Sequence, residues 1–222
     1  ALVDVATDED TAYSVELSSS DVDGDDLTYF AQVDGNGTAS VDGSTLTVSP
    51  DLNYNGDILV TVTVSDGQSG DTASFTLTVN PVNDAPVIAS IADQAIDEDS
   101  SLTVDLSASD VDGDNLTFSA SSADADVVVD GTSLTVIPAQ DFNGSVSVDV
   151  SVSDGSLEDS TSFTLTVNPV NDAPVLALIE DVSFDEDGSV SISVSATDVD
   201  NIDLVFSISG GIEIQATVDG ED

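Results

Sequence analysis

Fourteen residues, SFTLTVNPVNDAPV, occupy positions 74–87 and return without a change at 162–175, 88 positions on. Other motifs return at a step of 88 or 89. DED stands at 8–10, 97–99 and 185–187, and DVD at 21–23, 110–112 and 198–200. SDG stands at 65–67 and 153–155, and VDG at 41–43, 129–131 and 218–220. Self-similarity at a fixed period decides an architecture, because every unit must solve the same burial problem in the same way. The unit is about 88 residues long, and the chain divides into two complete copies, 1–87 and 88–175, and a partial third, 176–222, with strands A to D only. The chain opens mid-pattern, as a piece of a longer array would.

Within a copy the apolar residues alternate with polar ones at period two, the mark of half-buried strands. Tyr13, Val15 and Leu17 alternate with Ser14 and Glu16, then Val60, Val62 and Val64 with Thr61 and Thr63, then Phe75, Leu77 and Val79 with Thr76 and Thr78. The second copy repeats this through Leu102, Val104 and Leu106, through Val146, Val148, Val150 and Val152, and through Phe163, Leu165 and Val167. Asp42-Gly43 and Asp130-Gly131 read as tight hairpin turns. Seven short strands, A to G, fit each copy. The expected fold is all-β: tandem immunoglobulin-like seven-stranded sandwiches joined end to end. Tyr54 and Phe142 sit just before strand F, near the place of a tyrosine corner, although Phe142 lacks the hydroxyl.

If successive strands alternate in direction, the A–B turn (DED) and the E–F turn (Asp51 and Asn53, or Asp141 in the second copy) lie at one end of a sandwich with the outgoing joint VNDAP. The B–C turn (DVDGD) and F–G turn (SDG) lie at the other end. The first joint then gathers Glu9 and Asp10, Asn83 and Asp84, and Asp110, Asp112, Asp114 and Asp154. The second gathers Glu98, Asn171, Asp172, Asp198 and Asp200, with Ile202 where Asp114 stood and Asp203 displaced by one. Asp21, Asp23, Asp25 and Asp66 form a half-site at the free end of the first copy.

Charge turns this gathering into a chemical statement. The chain has 45 acidic residues and no Lys, Arg or His, a formal charge of −45. Crowded carboxylates raise one another's pKa, and no cationic side chain exists to relieve them. A hard divalent cation reverses the sign. Calcium takes about 6–8 oxygen ligands in flexible geometry, whereas magnesium holds its water and zinc seeks nitrogen or sulfur. The expected cofactor is therefore Ca2+. With no Cys there is no disulfide, and a metal is the natural staple for an extracellular domain.

The arrangement resembles cadherin repeats: a Glu early in the repeat, DxD in the B–C turn, a lone Asp before strand G, and an Asn-Asp…Ala-Pro linker. It is similar in particular to the cadherin-like tandem repeats of large bacterial surface proteins, the repeats-in-toxin adhesins, which carry VNDAPV joints and DVDGD turns. The resemblance covers the whole chain. It implies an extracellular stalk stiffened by calcium at its linkers, and it assigns ligand roles to Glu9, Asp84, Asp110, Asp112 and Asp154, and to Glu98, Asp172, Asp198 and Asp200. Two departures stand out. The linker is one residue shorter than in cadherins, and the E–F acid of cadherins maps only loosely onto Asp51 or Asn53. The glycine-rich calcium nonapeptides of the toxin family are absent.

Several function classes are disfavoured. The net charge repels phosphate backbones and anionic lipid surfaces, so nucleic acid is not an expected partner. No run is long and apolar enough for membrane insertion. Without His, Cys or Lys there is no ordinary base or nucleophile, and no enzyme is expected. The expected role is that of a spacer, its partners being neighbouring repeats of the same chain. The alternatives are a self-assembling filament or surface layer built with other copies, or a glycan- or protein-binding module.

Overall fold

The computed structural model describes residues 2–209. These are all-β, with no helix among them, and therefore none long and apolar enough to cross a membrane. Contacts divide the chain into two compact units. One is Ala1–Val87 with Ala108–Thr117 and Ser153–Asp159; the other is Ile88–Ser107 with Phe118–Val152 and Ser160–Asp222.

The first copy contributes β1 (Val5–Asp8), β2 (Tyr13–Glu16), β3 (Thr28–Val33), β4 (Gly37–Asp42), β5 (Thr45–Pro50), β6 (Gly56–Ser65) and β7 (Gly70–Asn80). They form two sheets, β1-β7-β6-β3 and β2-β5-β4. The second copy contributes β8 (Val87–Ile88), β9 (Gln94–Asp97), β10 (Leu102–Asp105), β11 (Ala108–Ser109), β12 (Thr117–Ser121), β13 (Ala125–Asp130), β14 (Ser133–Pro138), β15 (Gly144–Ser153) and β16 (Glu158–Asn168). Its sheets, β12-β15-β16-β9 and β10-β14-β13, repeat the same order. Both copies are immunoglobulin-like sandwiches, as the alternation of apolar residues predicts.

The inward residues are those of the period-two pattern. Leu46, Val48, Ile58, Val60, Val62, Phe75, Leu77 and Val79 pack into one core. Leu134, Val136, Val146, Val148, Val150, Val152, Phe163, Leu165 and Val167 are the buried apolar residues at the corresponding places of the second copy. On the outer face, hydroxyls pair across strands, as Thr61 does with Ser74 at 3.1 Å and Thr63 with Thr72 at 3.3 Å. The burial contrast gives a direct expectation. Leu77 is fully buried and Leu59 is 45% exposed. Leu77→Ala should cost about 2–5 kcal/mol in urea unfolding, and Leu59→Ala about 0.5 kcal/mol or less.

The turns behave as their residues require. Asp42 pairs with Thr45 across a two-residue loop whose first member, Gly43, has φ +59°, which suits the II′ hairpin turn. Before β6, Tyr54 donates its hydroxyl to the Asp57 carbonyl at 3.0 Å. Its ring lies over Gly56 (φ +135°), where a Cβ would come within 2.9 Å of the Tyr54 hydroxyl. Phe142 covers Gly144 (φ +141°) in the same way without the hydrogen bond, so the ring is the shared part of this corner.

A parallel pairing at the sheet edge sets the place of the first turn in each copy. β1 runs parallel to β7, with Asp8 beside Asn80, and β9 runs parallel to β16, with Asp97 beside Asn168. Each DED turn is thereby delivered to the residue from which the joint departs.

In the third copy the described residues form only β17 (Val175–Leu176) and β18 (Ala196–Thr197), paired antiparallel. In the full copies strand A pairs with G, B with E, and C with F, and among the described residues after Leu176 none of these pairings forms. The alternating residues of this stretch stay exposed, Phe184 at 49% and Ile192 at 46% among them. The turn at 218–220 lies outside the described residues.

Candidate metal centres

Each joint brings acids from several loops together, and each gathering falls within a single unit. In the first, Glu9 is fixed from two sides. Its N–H donates to the Asn80 carbonyl at 2.9 Å, and its Oε1 accepts from the Val82 N–H at 2.5 Å. Glu9 is only 4% exposed, a buried carboxylate with no cation to pair with. Asp10 takes a left-handed backbone (φ 58°) and accepts on Oδ1 from the N–H of Asn53, itself left-handed (φ 55°), at 2.9 Å. Asn and Asp tolerate this conformation better than other side chains, which is why both turns are built from them.

The joint is clamped in turn. The Asp84 N–H donates to Asp112 Oδ2 at 2.7 Å, and Asn83 Nδ2 donates to Asp154 Oδ2 at 2.8 Å. Asp110 Oδ1 accepts from the N–H groups of Gly113 and Asp114 at 3.0 and 3.2 Å, so one oxygen shapes the loop while the other is left over. Asp110, Asp112 and Asp114 each offer an oxygen, all within 4.8 Å of one another. Asp154 accepts on Oδ1 from Ser156 and Leu157 at 2.6 and 2.7 Å. The Leu157 N–H, the Asn83 amide and the Ser156 N–H hold its pKa below the ordinary value.

The second gathering repeats the plan. Glu98, 5% exposed, donates its N–H to the Asn168 carbonyl and accepts on Oε1 from Val170. The Asp172 N–H donates to Asp200 Oδ2 at 2.6 Å, and Asp198 Oδ1 accepts from the N–H groups of Asp200 and Asn201. Asp99 and Asp141, both left-handed, are linked as Asp10 and Asn53 are, Asp99 Oδ1 accepting from the Asp141 N–H at 3.0 Å. Two sets of oxygens lie within 4.8 Å: Glu98, Asp172 and Asp200, and Asp99, Asp141 and Asp172.

Sequence reasoning put Asp141 at this end without a ligand role and passed over Asp99, although Asp99 repeats Asp10 in the DED motif. It also missed Asn201, whose Nδ2 donates to Asn171 Oδ1 at 3.1 Å, while Asn171 Nδ2 reaches back to the Asp172 carbonyl. Ile202, at the place of Asp114, is 98% exposed.

The half-site of the first copy is shaped by its own loops. Asp21 Oδ1 accepts from the N–H groups of Asp23, Gly24 and Asp25, and Asp66 accepts from Gln68 and Ser69. The Ser69 and Gln68 N–H groups and the Ser69 hydroxyl lower the Asp66 pKa. Asp21, Asp23, Asp25 and Asp66 do not share one of the close oxygen sets found among the described residues.

Three oxygens are left without a donor in enclosed positions: Asp84 Oδ2, Asp110 Oδ2 and Asp172 Oδ2. An enclosed carboxyl oxygen with no hydrogen bond is costly, and the chain has no ammonium, guanidinium or imidazole side chain to supply one. The electrostatics agree. Burial first, then the charges of Asp112, Asp10, Glu9 and Asp110, push the Asp84 pKa above its usual range. Burial, then Asp141, Asp200, Asp99 and Glu98, do the same to Asp172. The donor set is oxygen only, hard and strongly anionic. It fits calcium, and it lacks the His and Cys that zinc selects.

Comparisons with known proteins bear on the fold. A family model described as the bacterial Ig domain matches residues 1–80 and 83–168. A chitinase A of Pseudoalteromonas piscicida is 33% identical over 164 residues, which cover 69% of this chain and 19% of that protein. The chain thus corresponds to a minor part of that relative. Among solved structures, human protocadherin-24 EC1-2 aligns at 16% identity over 69% of this chain and 86% of the other, with a TM-score of 0.42. Drosophila N-cadherin EC1-4 aligns at 17% identity over 90% and 57%, with a TM-score of 0.39.

Proposed function

This chain belongs to the bacterial Ig domain family, and on that footing we propose that its two acidic gatherings are calcium sites that stiffen the joints of an extracellular stalk. The observation that carries this is the set of enclosed carboxyl oxygens without donors, Asp84 Oδ2, Asp110 Oδ2 and Asp172 Oδ2, in a chain with no cationic side chain. Glu9, Asp10, Asp84, Asp110, Asp112, Asp114 and Asp154 would hold calcium at the first joint, with Asn83 fixing the loop beside them. Glu98, Asp99, Asp141, Asp172, Asp198 and Asp200 would hold it at the second. The ion supplies positive charge and oxygen coordination, turning mutual repulsion into attraction.

The chain's own residues do the rest. Glu9 and Glu98 tether the joint through Val82 and Val170, and Asp112 and Asp200 hold the Asp84 and Asp172 N–H groups. A joint fastened through its backbone in this way has few soft dihedrals left once its carboxylates share an ion. The role is mechanical and non-catalytic. Small-angle scattering in calcium and then in excess chelator tests it: calcium should narrow the distance distribution, and chelator should give the rising Kratky profile of independently moving modules. Superimposable profiles would remove the stiffening role.

The chitinase match favours a second setting for the same mechanics. There the repeats would serve as a spacer within a chitinase, holding its catalytic part away from the rest of the chain.

A further inference from the structure

The end of the first sandwich away from its joint carries an open cleft of about 270 Å³ between the two sheets. Tyr13, Leu17, Tyr29, Val62, Val64 and Phe75 line it. The internal repeats show what occupies this place elsewhere. Asp4 and Asp93 accept from the N–H groups of Thr76 and Thr164 respectively, both at 2.8 Å, which fixes the equivalence of the opening strands at an offset of 89. On that offset Ser18 corresponds to Ser107, and the position of Ile88 falls two places ahead of residue 1.

In the second copy Ile88 is 9% exposed, and the next N–H, that of Ala89, donates to the Ser107 carbonyl at 2.8 Å. In the third copy Ala177 donates to Ser195 at the same distance, and Val175 and Leu176 pair with Thr197 and Ala196. Each joint therefore continues past its Pro-Val into a short strand that lies along the segment following strand B. The first copy has the acceptor, and among the described residues no donor reaches the Ser18 carbonyl. Val64 is half-buried there, whereas its counterpart Val152 is fully buried.

We propose that this cleft is the acceptor for an extended strand with the repeats' own joint sequence, Pro-Val-Ile or Pro-Val-Leu, supplied by a further repeat wherever one is joined ahead of residue 1. The branched side chain at the Ile88 position enters the cleft beside Val64 and Tyr29, and the following N–H donates to the Ser18 carbonyl. The joint then continues one sandwich into the next through apolar burial as well as through its acids, independently of any metal.

The three tyrosines, Tyr13, Tyr29 and Tyr54, all lie in the first copy, so tyrosine fluorescence reports its unfolding alone. The test compares the 222-residue chain with the same chain extended ahead of Ala1 by VNDAPVIA, the sequence of 82–89, in excess chelator. The extension should raise the tyrosine-detected midpoint by about 5–10 °C. The same extension with Asp in place of its Ile, matched in length, should give no rise. Equal midpoints for the two extensions would overturn the proposal. Concentration-dependent self-association of the unextended chain, abolished by the extension, would assign the cleft to a second copy and overturn the source proposed.

Discussion

Moving the protein from about 10 mM calcium into excess chelator is expected to lower its thermal unfolding midpoint by about 5–15 °C. Calcium sites of extracellular modules typically have dissociation constants near ~10⁻⁴–10⁻³ M, so this concentration is about 10–100 times the constant. By mass action each ion bound only to the folded form then contributes about 1.4–2.7 kcal/mol. For repeats of this size ~1 kcal/mol moves the midpoint by several degrees. Magnesium at the same concentration should restore only part of the shift, because it gives up its water reluctantly and demands stricter geometry. Calorimetric midpoints that coincide within about 2 °C in calcium, magnesium and chelator would show that the acids hold no stabilising ion.

Asp84→Asn should change sign with the metal. Without calcium the Asp84 carboxyl is held above its ordinary 3.8 by burial and by its acidic neighbours. A raised pKa in the folded state means that folding favours the protonated acid. This contribution to stability is greatest at low pH, falls as pH rises through the window between the ordinary and the raised value, and is fully adverse at neutral pH. Removing the charge there should leave stability unchanged or increase it, and should flatten the fall with rising pH. With calcium the same carboxylate is a ligand, and because ligand charge sets calcium affinity its loss should weaken binding by about tenfold or more. Asp172→Asn should behave alike, since Asp141, Asp200, Asp99 and Glu98 surround it. Thermal melts of both variants at neutral pH, in chelator and in calcium, read both signs. A variant equally destabilised in the two conditions would make Asp84 a purely structural residue.

Much of this molecule is legible in its sequence because a strand's two faces are written as alternation. Val60, Val62 and Val64 fall on one face of β6 and Thr61 and Thr63 on the other, and β15 repeats the arrangement. The gathering of acids at the joints follows from strand direction, and the structure does bring Asp84 to Asp112 and Asn83 to Asp154. What alternation cannot convey is how each carboxylate divides its two oxygens. Asp110 spends one on its own loop and leaves the other enclosed without a donor. Asp21, in the same motif, gives one to the N–H groups of Asp23, Gly24 and Asp25 and has no such enclosed oxygen among the described residues. Asp99 and Asp141 enter the second gathering through left-handed backbone, which depends on the turn rather than on residue type alone. The third copy marks another limit. Val190, Ile192 and Val194 alternate like the residues of a strand, yet a strand needs a neighbour to take its N–H and C=O groups, and among the described residues no strand pairs with them.

The calcium joints are tested most directly by a crystal structure grown in calcium, with an anomalous difference map over both gatherings. Calcium peaks are expected about 2.3–2.6 Å from Asp84 Oδ2, Asp110 Oδ2 and Asp172 Oδ2. Maps in which those three oxygens meet only water, with no anomalous density beside them, would contradict the calcium assignment.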